Sequence, residues 1–251
     1  LTCTVSIDVR VDMTPPECSK LHLVNAHDGY LTAPWLEVAW QCFDAPPGYI
    51  ALTAWAVGTY PRGDDVQPYA KADAIDERNT TGPLRSGQTY YATVKLTDAG
   101  GLVTYKVSTA VMADLIPPEW HRAVRLVQTE TNEATHVWGQ ADQLFARWRV
   151  VDVHSGRANL LLWVVNATSG DLLGDMATAV AAAGQHRLSL GAHQLKHGGT
   201  YELHACATDR ASLKSCSVPW AFVAELIAPQ FSAVSISAGN AISSADGTER
   251  Y

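Results

Sequence analysis

An internal repeat constrains this chain more than any other feature, because a unit that occurs twice must fold within its own length. From Trp40 and from Trp148 the same landmarks follow in register: an Asp four residues on (Asp44, Asp152), a Gly eight on (Gly48, Gly156) and a Trp fifteen on (Trp55, Trp163). Farther along, the segment Leu84 to Tyr90 stands against Leu195 to Tyr201, and Thr97-Asp98 against Thr208-Asp209. A proline step announces each copy: Thr14-Pro15-Pro16 after Asp12, Ile116-Pro117-Pro118 after Asp114, and Ile227-Ala228-Pro229. The steps recur at intervals of about 100 to 110 residues, the size of a seven-stranded sandwich. The repeat divides the chain into the last strand of a preceding module (1–13), module 1 (14–115), module 2 (116–226) and the start of a further module (227–251).

Short runs alternate between apolar and polar residues: Leu36 to Trp40, Tyr90 to Leu96, Leu144 to Trp148 and Tyr201 to Cys206. A period of two with β-branched and aromatic residues marks half-buried strands. Turn clusters at Asp98 to Gly101 and Lys196 to Gly199 separate them at hairpin spacing, which favours antiparallel pairing. The Ala-rich run Asp175 to Ala183 is the one stretch with the composition of a short helix. The fold class expected is all-β: tandem seven-stranded antiparallel β-sandwiches. Trp40 and Trp148 fall on the second strand and Trp55 and Trp163 on the third, where all four are expected to fill the core between two sheets.

The Leu-x-x-Gly-x-x-Tyr segments resemble the tyrosine corner of fibronectin type III and immunoglobulin-like domains, which implies that Tyr90 and Tyr201 bond back to the chain just upstream. With the Asp12-Met13-Thr14-Pro15-Pro16 opening, the Asp-x-x-x-Gly turn and the Gly-x-Thr-Tyr corner, residues 14–226 resemble fibronectin type III-like repeats of large extracellular algal and bacterial proteins. Module 2 departs from that opening, with Asp114-Leu115-Ile116-Pro117-Pro118. The resemblance implies a fold and leaves the role open, because this sandwich serves many functions.

The chain has five cysteines and no Cys-x-x-Cys pair, so the cysteines read as disulfides rather than metal ligands. Cys206 and Cys216 flank a hairpin and are expected to bridge it. Cys18, at the start of the first strand, and Cys42, just after the second, are expected to pair as antiparallel neighbours. Cys3 then takes a partner outside the chain. Five free thiols in a cytosolic protein are the weaker alternative. The sequons at Asn79-Thr80-Thr81 and Asn166-Ala167-Thr168 point the same way, to N-linked glycans and a secreted or cell-surface location. The opening Leu1-Thr2-Cys3-Thr4 has no initiator Met or leader pattern, and the chain reads as part of a longer polypeptide.

A formal net charge of −7 and the lack of any Lys/Arg run give no electrostatic footprint for nucleic acid. No apolar stretch is long enough to be read as a membrane span. There is no Gly-x-Ser-x-Gly elbow and no phosphate-cradling Gly loop, so no enzyme, catalytic residue or cofactor is expected. His186, His193, His197 and His204 are the tightest histidine group, but they lack the Glu of a His-Glu-x-x-His motif and read as solvated loop residues. Asp64-Asp65 lacks the alternating oxygen ligands of a calcium loop. No metal site is therefore expected. Arg62-Gly63-Asp64 spells an integrin-binding tripeptide, yet its place after the third strand reads as turn chemistry.

With no Gly/Ser linker between copies, the proline steps should make stiff joints. The expected role is a structural, non-catalytic string of an extracellular fibre, filament or stalk, with neighbouring modules or further copies as partners. Trp35, Trp120 and Trp220 are candidates for packing between rods. The alternative is a glycan- or protein-binding adhesin or receptor ectodomain.

Overall fold

The computed structural model describes residues 11–227, apart from 81, 129, 130, 132, 157, 158, 180–182 and 191–194. Module 1 runs β1 (Glu17–Leu23), β2 (Tyr30–Leu31), β3 (Glu37–Phe43), β4 (Ile50–Gly58), β5 (Gln67–Ala72), β6 (Ile75–Asn79), β7 (Thr89–Asp98), β8 (Val103–Val107) and β9 (Val111–Ala113). Module 2 repeats the order with β10 (Glu119–Leu126), β11 (Val137–Trp138), β12 (Gln143–Val151), β13 (Asn159–Asn166), β14 (Leu172–Ala179), β15 (Ala183–Ser189), β16 (Thr200–Thr208), β17 (Lys214–Cys216) and β18 (Trp220–Ala224). Among the described residues there is no helix, and so none long and apolar enough to cross a membrane.

Each module packs a three-stranded sheet (β1-β3-β6; β10-β12-β15) on a larger one (β2-β9-β7-β4-β5 with β8; β11-β18-β16-β13-β14 with β17). The first strand is broken: β1 pairs with β3, whereas β2 crosses over to run parallel to β9 in the opposite sheet. The last strand is likewise split into β8 and β9. Counting each broken strand once gives the seven strands of an antiparallel sandwich. The Ala-rich run forms strand rather than helix where it is described, because β14 pairs along β13 and that pairing outweighs local helix propensity.

Alternation along the strands builds two separate cores. In β3 the inward residues are Val38, Trp40 and Cys42; in β12 they are Leu144, Ala146, Trp148 and Val150. From the facing sheets come Tyr90, Ala92, Val94 and Leu96 of β7, and Tyr201, Leu203, Ala205 and Ala207 of β16. The Tyr90 hydroxyl accepts the Arg85 amide at 2.8 Å and the Tyr201 hydroxyl accepts the Lys196 amide at 2.8 Å, which ties each corner to its own strand. Disulfides join Cys18 to Cys42 across β1 and β3 and Cys206 to Cys216 across β16 and β17, in both cases between directly paired residues. Cys3 lies outside the described residues.

Trp163 corrects an expectation. The pairing of β4 on β7 shifts between Ile50 and Leu52, so Leu52 faces Thr97. In module 2 the equivalent Thr208 faces Asn159, one residue earlier in the repeat alignment. An extra residue in a strand turns every later side chain to the opposite face. Trp55 is therefore in the core, 4% exposed, whereas Trp163 is half-buried on the outer face, stacked on His204 at 5.2 Å, and Leu162 fills the core position. Of the aromatics expected at the surface, Trp35 is exposed. Trp120 and Trp220 are partly buried, their indole N–H groups donating to Ser215 Oγ and the Thr135 carbonyl.

Candidate functional site

The inward alternation does not stop at the last apolar residue. In β3 the series Val38, Trp40, Cys42 continues to Asp44, and in β7 the series Tyr90 to Leu96 continues to Asp98. Module 2 does the same: Val150 is followed by Asp152, and Ala207 by Asp209. Two carboxylates from opposite sheets thus close the end of each sandwich where an apolar layer would otherwise stand. A third comes from the chain entering the module, Asp12 or Asp114. In each trio the nearest carboxylate oxygens lie within 4.8 Å of one another. None of the ion pairs among the described residues involves any of the six.

Asp98 is 2% exposed; its Oδ1 accepts the Leu102 amide at 2.8 Å, while Oδ2 has no hydrogen-bond partner among the described residues. Asp209, 5% exposed, repeats this: Oδ1 accepts the Leu213 amide at 2.9 Å and Oδ2 is unpartnered. Asp12 Oδ1 takes the amide and hydroxyl of Thr14, and among the described residues its Oδ2 and both oxygens of Asp44 lack a hydrogen bond. Burial raises the Asp44 pKa above the usual carboxylate value, helped by the charges of Asp12 and Asp98; the nearby Ala45 amide opposes this without meeting hydrogen-bond geometry. Asp209 is raised by burial and by Asp114 and Asp152, against the Leu213 amide. Buried carboxylates that repel one another and lack partners are costly unless a proton or a cation joins them.

The second trio sits in the joint between modules. The Asp114 amide donates to the Leu31 carbonyl of module 1 at 2.8 Å, while its carboxylate accepts the Ser155 amide of module 2 at 3.1 Å. Around it, the Tyr30 hydroxyl donates to the Ser155 carbonyl at 3.3 Å, and Gly87 (φ +79) packs so closely on His154 that a Cβ would lie 2.5 Å from its Nδ1. Neither trio was read from the sequence as a site, although all six aspartates belong to the repeat landmarks. The missed signal was the parity of Asp44 and Asp98 with the core residues before them.

The other candidates stay apart. His186 lies in β15 and His204 in β16, in opposite sheets; His204 meets Glu202 at 3.0 Å, His197 Nδ1 accepts the Leu226 amide, and His193 lies outside the described residues. Arg62 (φ 64) sits over the Tyr105 ring at 4.8 Å, and Gly63 is buried against Gly58, so the tripeptide is built into its turn. Asp65 accepts the hydroxyl and amide of Thr59, which hold its pKa below the ordinary value. Asn79 ends β6, and Thr81 of its sequon lies outside the described residues. Asn166 ends β13 in a turn, with its Oδ1 accepting the Thr168 amide at 2.9 Å. On the outer face of the β10-β12-β15 sheet, Arg122 is paired with Arg149 and Arg125 with Arg147, with Arg187 on the same face. Burial and the charges of Arg122 and Arg147 lower the Arg125 pKa.

No protein-family model matches the chain, and no curated protein matches it. Among solved structures it is similar to the FN1–FN3 domains of chicken CNTN1 (9% identity, TM-score 0.34), covering 84% of this chain and 66% of that one, a little under two thirds. It is also similar to fibronectin(III)-like modules of Clostridium thermocellum CbhA (12%, TM-score 0.42; 82% and 95% covered). A third similar structure belongs to a 1.5-MDa bacterial ice-binding adhesin (10%, TM-score 0.42; 86% and 67% covered).

Proposed function

We propose that the chain is a structural, non-catalytic module string of an extracellular or cell-surface fibre, filament or stalk. The observation that carries this reading is the joint. Asp114 belongs to module 1 through its amide and to module 2 through its carboxylate, and Leu115 is held by the Ser86 hydroxyl at 3.0 Å, so no free linker separates the two sandwiches. A joint of this kind transmits orientation from one module to the next, which a stalk needs and a flexible tether does not. The two disulfides fit an oxidising compartment. N-linked glycans at Asn79 and Asn166 belong to the same proposal. The test is to label the native source with antibodies raised against this chain and image the labelled material by electron microscopy. Labelled surface filaments or stalks, with sugar density at Asn79 and Asn166, support the reading; label confined to a dispersed soluble monomer overturns it.

A ligand-binding reading is favoured by the arginine face. Like charges set directly opposite one another on a sheet are destabilising, and an anionic partner would offset that. Salt-sensitive binding of the chain to a sulfated polysaccharide, weakened by Arg147→Ala with Arg149→Ala, would support it; indifference to that ligand at low salt would remove it.

A further inference from the structure

We infer that each aspartate trio is a calcium site, Asp12, Asp44 and Asp98 holding one ion and Asp114, Asp152 and Asp209 another. This goes beyond the structural reading and does not depend on it. Proximity of acidic residues would not by itself suffice. What points to a ligand is that Asp98 and Asp209, each more than nine-tenths buried, carry a buried Oδ2 with no partner among the described residues and have a carboxylate oxygen within 4.8 Å of the other two of their trio, and that the arrangement occurs twice. In the first trio the unpartnered atoms also include Asp12 Oδ2 and both oxygens of Asp44. Gly48 leaves room for this convergence: a Cβ there would lie 2.2 Å from Asp12 Oδ2 and 2.6 Å from Asp44 Oδ2.

The donor set selects the ion. The ligating groups of both trios are carboxylates, with no imidazole or thiolate among them, which suits a hard cation and disfavours zinc or copper. Each trio draws on three separate stretches of chain and leaves the remaining positions to water or main-chain oxygens. Calcium tolerates such irregular six- to eight-fold oxygen shells, whereas magnesium demands a near-ideal octahedron. One ligand of each trio precedes the proline step, so an ion bound there ties the incoming segment to the two loops at the end of the module. At Asp114 that incoming segment is module 1 itself.

The whole chain, stripped with a chelator and dialysed, is titrated with calcium chloride by calorimetry. It is also compared with and without calcium by hydrogen exchange. Binding is expected at roughly 10⁻⁴ to 10⁻³ M, the range of extracellular calcium modules. Exchange should slow at 44–48, 98–102, 152–156 and 209–213. Asp98→Asn and Asp209→Asn should each remove one equivalent and abolish protection only in their own module. No heat and no change in exchange at about 10 mM calcium, ten times the weak end of that range, overturns the inference, as does equal binding of magnesium. Because the exchange comparison uses the unaltered protein, the inference remains falsifiable if a variant fails to fold. Loss of calcium binding would leave surface labelling of filaments unaffected, so the two readings fail separately.

Discussion

Module 1 and module 2 place the same residue types at the same landmarks, yet they use them differently in two places. In the third strand, the extra residue near Ala51 sends Trp55 inward, while Trp163 stays on the outer face. At the acidic end, the loop after Asp152 is Val153-His154-Ser155-Gly156, whose amides and hydroxyl satisfy Asp152 and Asp114. The corresponding loop in module 1, Ala45-Pro46-Pro47-Gly48, has two prolines without N–H groups, and among the described residues both oxygens of Asp44 and the Oδ2 of Asp12 and of Asp98 are left without donors. A repeat therefore preserves the position of a residue without preserving its task. One inserted residue or one missing amide is enough to separate the two.

The largest expected contrast is at the tryptophans. Trp55→Ala should cost about 3–5 kcal/mol, the usual range for emptying a large aromatic from a core. Trp163→Ala removes a half-exposed stack on His204 and should cost only about 0.5–1.5 kcal/mol. Denaturant unfolding of the two variants in the full chain measures both. Equal losses would mean that Trp163 is core after all and that the register shift in β4 is misplaced.

This contrast also shows how far the sequence could be read. Period-two runs and turn clusters depend on local chemistry, so the sandwiches and the buried Trp40, Trp55 and Trp148 could be reasoned from residues alone, whereas the corner bonds of Tyr90 and Tyr201 came from the resemblance of their segments to a known tyrosine corner. The bulge in β4 could not, because spacing from Trp40 to Trp55 equals that from Trp148 to Trp163 and only pairing with the next strand reveals the slip. The aspartate trios were hidden for a related reason. A search for metal ligands looks for acids or histidines close in sequence, and it stops at Asp64-Asp65 or the histidines around His197. Asp12, Asp44 and Asp98 lie tens of residues apart and meet only when three chain segments converge at one end of the sandwich.

A smaller contrast concerns the entering aspartates. Asp114→Ala leaves the Ser155 and Ile116 amides without their acceptor, and an unpaired buried donor costs about 1–3 kcal/mol. Without calcium, Asp12→Ala loses only contacts to Thr14 in an exposed setting and relieves repulsion on Asp44, so stability should stay within about 0.5 kcal/mol of the parent. Unfolding of both variants in chelator, followed by tryptophan fluorescence, decides this. A larger loss for Asp12→Ala than for Asp114→Ala would reverse the assignment of which trio is held by the protein's own amides.

The smallest effect is the sharpest test of the difference between the loops. Pro47 stands where module 2 has Ser155, whose amide reaches Asp114 and whose hydroxyl reaches Asp152. Pro47→Ser restores a backbone amide to the first trio, a gain of about 1 kcal/mol for one added hydrogen bond. It also frees the unfolded chain from a proline constraint, a loss of about 0.4–1 kcal/mol. These nearly cancel, so stability in chelator should hardly move, and the informative quantity is the difference between calcium and chelator. With its own donors in place the loop has less need of an ion, and calcium-induced protection at 44–48 should shrink toward that at 152–156. If protection in Pro47→Ser equals that of the parent protein, the missing amides are not what sets the two trios apart.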